Sequence, residues 1–435
     1  MQRTELLRLQ EWKQQPNRKP MIIRGARQVG KTWLMKDFGA SAYARTVYLN
    51  FESTPRLKTI FAPDFDINRI IRSLAIETGA AIDPETTLII FDEVQEAPEA
   101  ITCLKYFYEN APQYHILAAG SLLGVALHSH TSFPVGKVDF LDLHPFSFAE
   151  FLVAVGQQSL AGLLTSTDWP VIKTFRIKLI ELLKQYYYVG GMPEAVLAFA
   201  ARSDVKEVRN IQKRILTAYE QDFSKHAPPD IVPRIRMVWN SVPSQLAKEN
   251  RKFMYSHIKQ GARAKDYELA MSWLIDCGLL YKVNRVTKPA LPLKAYEDVS
   301  AFKLYLSDIG LLGAMTDIGA STLLEGDAIF QEFKGALTEQ YVLQQMVTHQ
   351  DWVIYYWSAE NGQAEIDFLL QLNDRIVPLE VKAEETLKAK SLKTFSEKFK
   401  PAISVRCSMS DFRKEDWLVN LPLYAIHELP ALLLP

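Results

Sequence analysis

The chain has 435 residues, too many for one ordinary hydrophobic core, so two or three domains are expected at roughly 100–200 residues each. Fifty basic and fifty acidic residues cancel, which excludes a global field toward nucleic acid or membrane and leaves only local charged surfaces. With 48% hydrophobic residues, ordinary glycine and proline usage, and no run of about 18 uncharged apolar residues, the composition excludes a disordered or membrane-spanning chain and predicts a soluble one.

The segment "MQRTELLRLQEWKQQPNRKP" reads as a charged amphipathic helix. The strand "MIIR" and the helix "TWLMKDFG" then flank a loop with Gly25, four residues, Gly30, Lys31 and Thr32. That order suits a phosphate cradle: glycines let backbone N–H groups converge on phosphates, the lysine reaches the β and γ phosphates, and the hydroxyl binds magnesium. The expected nucleotide-binding residues are Gly25, Ala26, Arg27, Gln28, Val29, Gly30, Lys31, Thr32 and Trp33. Trp33, Leu34 and Phe38 provide the apolar side of the helix.

"TVYLNFE" (46–52) reads as a buried strand, and "TTLIIFDEVQEAP" as another that ends in Asp92 and Glu93, with Asp92 61 residues after Lys31. Asp92 is expected to hold Mg2+ together with Thr32, and Glu93 to orient the attacking water; a strand followed by a solvated acidic loop is the plain alternative. "HILAAGS" is a further strand, and Ser121 at its end is a candidate phosphate sensor, against the simpler reading of a turn serine.

"GARQVGKT", "LIIFDEVQ", "AAGSLL", "HPFSFAEFL" and "YYYVGGMPEAV", in that order, resemble the ATPase domain of a prokaryotic AAA-superfamily group with a C-terminal domain of unknown function (AAA_14/DUF4143-like). The resemblance covers nearly the whole chain and implies a P-loop NTPase with a parallel sheet, ATP and Mg2+. Members usually have Gly-Arg before the strand leading into "PFSF". Here Gly136 and Lys137 stand there, and lysine lacks the planar fork, so no arginine finger is assigned.

From about residue 205 the pattern is helical, and residues 242–286 read as three helices and a hairpin, a winged helix-turn-helix. Leu269, Trp273 and Leu274 share helical spacing and Gly278 stops that helix. Nine Lys or Arg against four acids between 246 and 290 make a local basic surface. Arg263 and Lys265 are the candidate contacts to double-stranded DNA; a lid, a protein contact or a merely solvated face are the alternatives.

In "GQAEIDFLLQL", Ile366, Phe368 and Leu370 alternate with Glu365 and Asp367; in "RIVPLEVKAEE", Glu380 and Lys382 lie opposite Val377, Leu379 and Val381. Paired as a hairpin, these strands bring Asp367, Glu380 and Lys382 together, two carboxylates for a divalent metal and a lysine for the phosphorane charge. The pattern resembles the PD-(D/E)xK nuclease fold, in which Glu339 on the preceding helix supplies the extra acid. A salt-bridge network at a solvated surface is the alternative.

Cys103, Cys277 and Cys407 form no CxxC pair, which points to a reducing cytoplasm without a disulfide framework or zinc site. His115, His128, His130 and His144 lack metal-ligand spacing, and no Gly-x-Ser-x-Gly elbow occurs. The expected organisation is an ATPase domain at 1–200, a winged helix at 201–300 and a nuclease-like domain at 301–435. The expected function is ATP hydrolysis coupled to action on DNA, the alternative being a nucleotide-dependent switch without nuclease chemistry. A nucleotide, DNA and a second copy of the chain are the partners to expect, and no membrane.

Overall fold

The computed structural model describes residues 3–120, 133–248, 252–322, 331–349, 352–359, 364–385 and 389–433. Two compact units emerge, Met1–His144 with Asp276–Leu279, and Pro145–Ile275 with Leu280–Pro435.

The first unit is built on β1 (Met21–Arg24), β2 (Arg45–Asn50), β3 (Thr87–Asp92), β4 (His115–Ala119) and β5 (Asp139–Asp142). They form one sheet in the order β2-β3-β4-β1-β5, with every pair parallel. Strands covered on both faces are continuously apolar, and every residue of β3 and β4 is buried. The helix Ile67–Thr78 shows how the covering layer is specified. Asp66 caps it by accepting from the backbone N–H of Asn68 at 3.0 Å, a contact of about 1 kcal/mol. Ile67, Ile70 and Leu74 form its buried stripe, and Gly79 ends it at φ 65. Phe51, Phe61 and Phe91 meet edge-to-face with centroids 5.5 to 5.7 Å apart.

Strand β4 lies between β1 and β3, and Ala119 pairs with both Ile23 and Asp92. The loop after β1 and the acid ending β3 therefore share the carboxyl edge of the sheet, where ligands bind in open α/β folds.

The second unit combines helices from 148 to 246 with an eight-stranded mixed sheet. Its strands are β6 (Leu280–Val286), β7 (Glu297–Leu306), β8 (Ile354–Ser358), β9 (Glu365–Leu372), β10 (Arg375–Val381), β11 (Ser404–Ser408), β12 (Arg413–Lys414) and β13 (Leu418–Pro422). The order is β12-β13-β11-β10-β9-β8-β6-β7. The hairpin read as a wing is β6 with β7, and it continues into this sheet because Asn284–Val286 pair with Tyr355–Trp357. Leu269 departs from the expected stripe and is 72% exposed: Tyr267, Ala270, Met271, Trp273 and Leu274 set the buried face of Ala264–Asp276, and Leu269 falls outside it.

The "PFSFAEFL" and "YYYVGGMPEAV" segments form a buried joint in this unit. Phe146 N–H donates to the Gly191 carbonyl at 2.7 Å, Gly191 N–H donates to Asp308 Oδ2 at 2.6 Å, and Gln344 donates to both Asp308 and the Tyr186 hydroxyl. Asp308 also caps the helix Ile309–Met315 through Leu311 N–H. Its carboxyl is pushed above the usual carboxylate range by burial, against the pull of these donors.

Candidate nucleotide site and the C-terminal acid cluster

The loop after β1 curls because Gly25 (φ 140), Gln28 (φ 65) and Gly30 (φ 97) adopt backbone conformations that L residues avoid. A Cβ at Gly25 would stand 2.1 Å from the Leu143 carbonyl oxygen, so no other residue fits there. Gly30 starts the helix Lys31–Ala42, whose Leu34, Met35 and Phe38 anchor it while Trp33 is half-buried. The N-terminus of that helix faces the curl and favours anions.

Lys31 is buried, and its Nζ donates to the carbonyls of Gly25 and Ala26, each at 2.8 Å. Burial lowers its pKa to about 8, although Glu93 and Asp92 pull it the other way. Asp92 is 2% exposed; its Oδ2 accepts from the Thr32 hydroxyl at 2.7 Å and the Tyr48 hydroxyl at 2.7 Å, while Oδ1 accepts from Glu93 N–H at 3.1 Å. Glu93 adopts φ 51, and its Oε2 accepts from Gln95 at 2.7 Å. Tyr48 is pushed up to about 12, by burial first, and stays a donor. Thr32 and Asp92 thus bring two oxygen ligands side by side, a set that fits magnesium.

Lys31, Thr32, Asp92 and Glu93 come together as their spacing predicts. Ser121, His128 and His130 lie outside the described residues. Lys137 pairs with Glu109 at 2.9 Å. Tyr48 and Gln95 escaped the sequence reading; the signal for both is a polar side chain beside the carboxyl end of a buried strand.

A family model described as an AAA domain matches residues 17–152. Residues 17–152 carry an AAA domain. Two domains of unknown function match beyond it, DUF8612 at residues 180–322 and DUF4143 at 334–426. The chain is also similar to three solved structures. The Walker-type ATPase PABY2304 of Pyrococcus abyssi is 15% identical, over 72% of this chain and 95% of that one, with TM-score 0.45. The Aeropyrum pernix ORC1 protein in complex with DNA is 13% identical over 72% and 91% (TM-score 0.26), and a single-substitution variant of Thermotoga maritima RuvB is 14% identical over 67% and 91% (TM-score 0.28). No curated protein matches the chain.

In the second unit, β9 and β10 pair antiparallel as the expected hairpin. Alternation along β9 is broken, however. Asp367 and Phe368 together oppose Tyr356 on β8, a bulge that turns Ile366 and Leu369 into the core under the helix Lys390–Phe399 and Phe368 toward Tyr305. Asp367 Oδ2 accepts from Val381 N–H at 2.7 Å. Glu380 is 5% exposed and meets Lys382 Nζ at 2.5 Å through Oε1, while its Oε2 is buried without a hydrogen-bond partner. Burial, then the Asp367 charge, pushes Glu380 up to about 7.

Glu339 is buried as well, and it accepts from the Tyr305 hydroxyl at 3.2 Å. The sequence reading missed Lys303, which enters this cluster with its Nζ 2.5 Å from Glu365 and 3.8 Å from Glu339. Lys303, Glu339 and Glu380 are thus buried, while Glu365, Asp367 and Lys382 are half-buried. Among the described residues no three or more His, Cys, Asp and Glu side chains are grouped to hold a metal ion. With an ammonium already among the carboxylates, the residues do not fit the divalent ion that a nuclease-like site requires. Arg263 and Lys265 are exposed at the start of Ala264–Asp276, and no described helix is long and apolar enough to cross a membrane.

Proposed function

We propose that the protein binds ATP with Mg2+ at residues 25–32 and hydrolyses it, and that its second unit binds double-stranded DNA without cutting it. The hydrogen bond from Thr32 to Asp92 at 2.7 Å carries the first part, because it brings the hydroxyl and carboxylate that serve a nucleotide-bound magnesium to one point. Bound magnesium supplies charge neutralisation on the β and γ phosphates. Lys31 leaves the Gly25 and Ala26 carbonyls for those phosphates; Glu93, held by Gln95, orients the attacking water and takes its proton; Ser121 senses the γ phosphate.

The DNA part is supported by the exposure of Arg263 and Lys265, two cations where a helix begins. The absence of cleavage is supported by Lys303, a buried ammonium that stands 2.5 Å from Glu365 and 3.8 Å from Glu339 inside the acid cluster. Cys103, Cys277 and Cys407, buried and outside any disulfide, support a reducing compartment, the cytoplasm.

The test is phosphate release by the purified chain with and without magnesium, alongside duplex retention and plasmid integrity. Magnesium-dependent turnover and retention without nicks support the proposal. Zero turnover at every magnesium concentration overturns the ATPase part, and metal-dependent nicking lost in Asp367→Asn overturns the non-cleaving part.

A further inference from the structure

We propose that the ammonium of Lys303 is a built-in counter-ion that takes the place of a divalent metal in the acid cluster of the second unit. The inference rests on the non-cleaving reading of that unit and gives its physical cause.

Lys303 projects from β7 and has no exposed surface. Its Nζ lies 2.5 Å from Glu365 on β9, 3.8 Å from Glu339 on the helix Gln331–Met346, and 4.9 Å from the centre of the Tyr356 ring on β8. One cation thus gathers three strands and a helix. A metal would draw the same carboxylate oxygens to about 2.0–2.6 Å. Elsewhere in the cluster Lys382 meets Glu380 Oε1 at 2.5 Å and Val381 N–H donates to Asp367 at 2.7 Å, while Glu380 Oε2 is buried without a hydrogen-bond partner.

Geometry explains why Lys303 holds this position. Burial opposes its charge, yet Tyr305, Glu365 and Asp367 outweigh burial and keep it protonated well above the ordinary lysine range. Removing one partner of a buried pair strands the other charge, whereas removing both sides restores the balance. An incoming divalent ion has to displace an ammonium that is itself fully buried.

The experiment is thermal melting of the full chain without nucleotide, in EDTA and in Mn2+, with bound Mn2+ counted by electron paramagnetic resonance. Three proteins are compared: wild type, Lys303→Met, and Lys303→Met with Glu339→Gln and Glu365→Gln. A shift shared by all three belongs to the nucleotide site. Lys303→Met should melt roughly 10 °C lower in EDTA, regain at least half of that in Mn2+, and bind one more Mn2+ than wild type. The triple variant should recover in EDTA and lose the extra ion.

The inference is overturned if Lys303→Met melts like wild type, or if Lys303→Met binds no more Mn2+ than the wild type. Should Lys303→Met fail to fold in any buffer, the triple variant decides: folding in EDTA supports the counter-ion, and failure overturns it. Metal-dependent nicking by the wild type would sink the non-cleaving reading itself, whereas an uncut plasmid with an unresponsive Lys303→Met sinks only the counter-ion.

Discussion

Tyr48 donates its phenolic hydrogen to Asp92 Oδ2 at 2.7 Å, the oxygen that also accepts from Thr32. Tyr48 pairs in register with Ile90, two residues before Asp92, so β2 delivers the hydroxyl to the acid. A hydrogen bond to a charged group contributes about 1.5–3 kcal/mol. Tyr48→Phe should therefore lower kcat/KM for ATP about tenfold or more and raise the magnesium needed for half-maximal rate. A magnesium titration of phosphate release checks this; an unchanged midpoint removes Tyr48 from the site.

Lys31 and Glu93 separate binding from turnover. Lys31→Ala should abolish tight nucleotide binding, while Glu93→Gln should bind a fluorescent ATP analogue normally and release no phosphate, since only the group aimed at water changes. Normal turnover by Glu93→Gln rejects its assigned role.

Charge reversal at Arg263 and Lys265 should weaken duplex binding and flatten its dependence on salt. If both contact phosphates, the slope of log K against log salt should fall by about 2. Equal affinity of variant and wild type at several salt concentrations assigns that helix to another partner.

Burial pulls His115 down to about 4, with Arg18 and Lys13 adding to the effect, and its Nδ1 shares a hydrogen with the Tyr43 hydroxyl at 2.5 Å. The unfolded chain returns it to about 6.5, so between these values the unfolded state binds more protons. Its contribution is complete above about pH 6.5 and is lost as the pH falls through about 4. The urea midpoint of the wild type should decline from pH 7 to pH 5, and that of His115→Phe should decline less; parallel curves contradict the assignment.

Gly191→Ala addresses the buried joint, because a Cβ there lies 2.2 Å from the Phe146 carbonyl oxygen, a backbone atom with no freedom to withdraw. A loss of about 2 kcal/mol or more is expected in chemical denaturation. Wild-type stability would mean that the joint yields.

Gly25, Gly30, Lys31, Thr32, Asp92 and Glu93 were legible from the chain alone because they depend on local properties: backbone freedom at glycine, apolar runs that become buried strands, and short spacings between them. The hairpin of β9 and β10 was legible for the same reason. What only the tertiary structure decided is which distant side chains meet. Lys303 looks in "AFKLYLSD" like one charged residue on an alternating strand, yet its partner Glu365 lies 62 residues away. The bulge at Asp367 and Phe368 and the exposure of Leu269 have the same origin. Sequence spacing sets direction along one element, whereas packing between elements chooses which face is buried and which charge stands beside an acid.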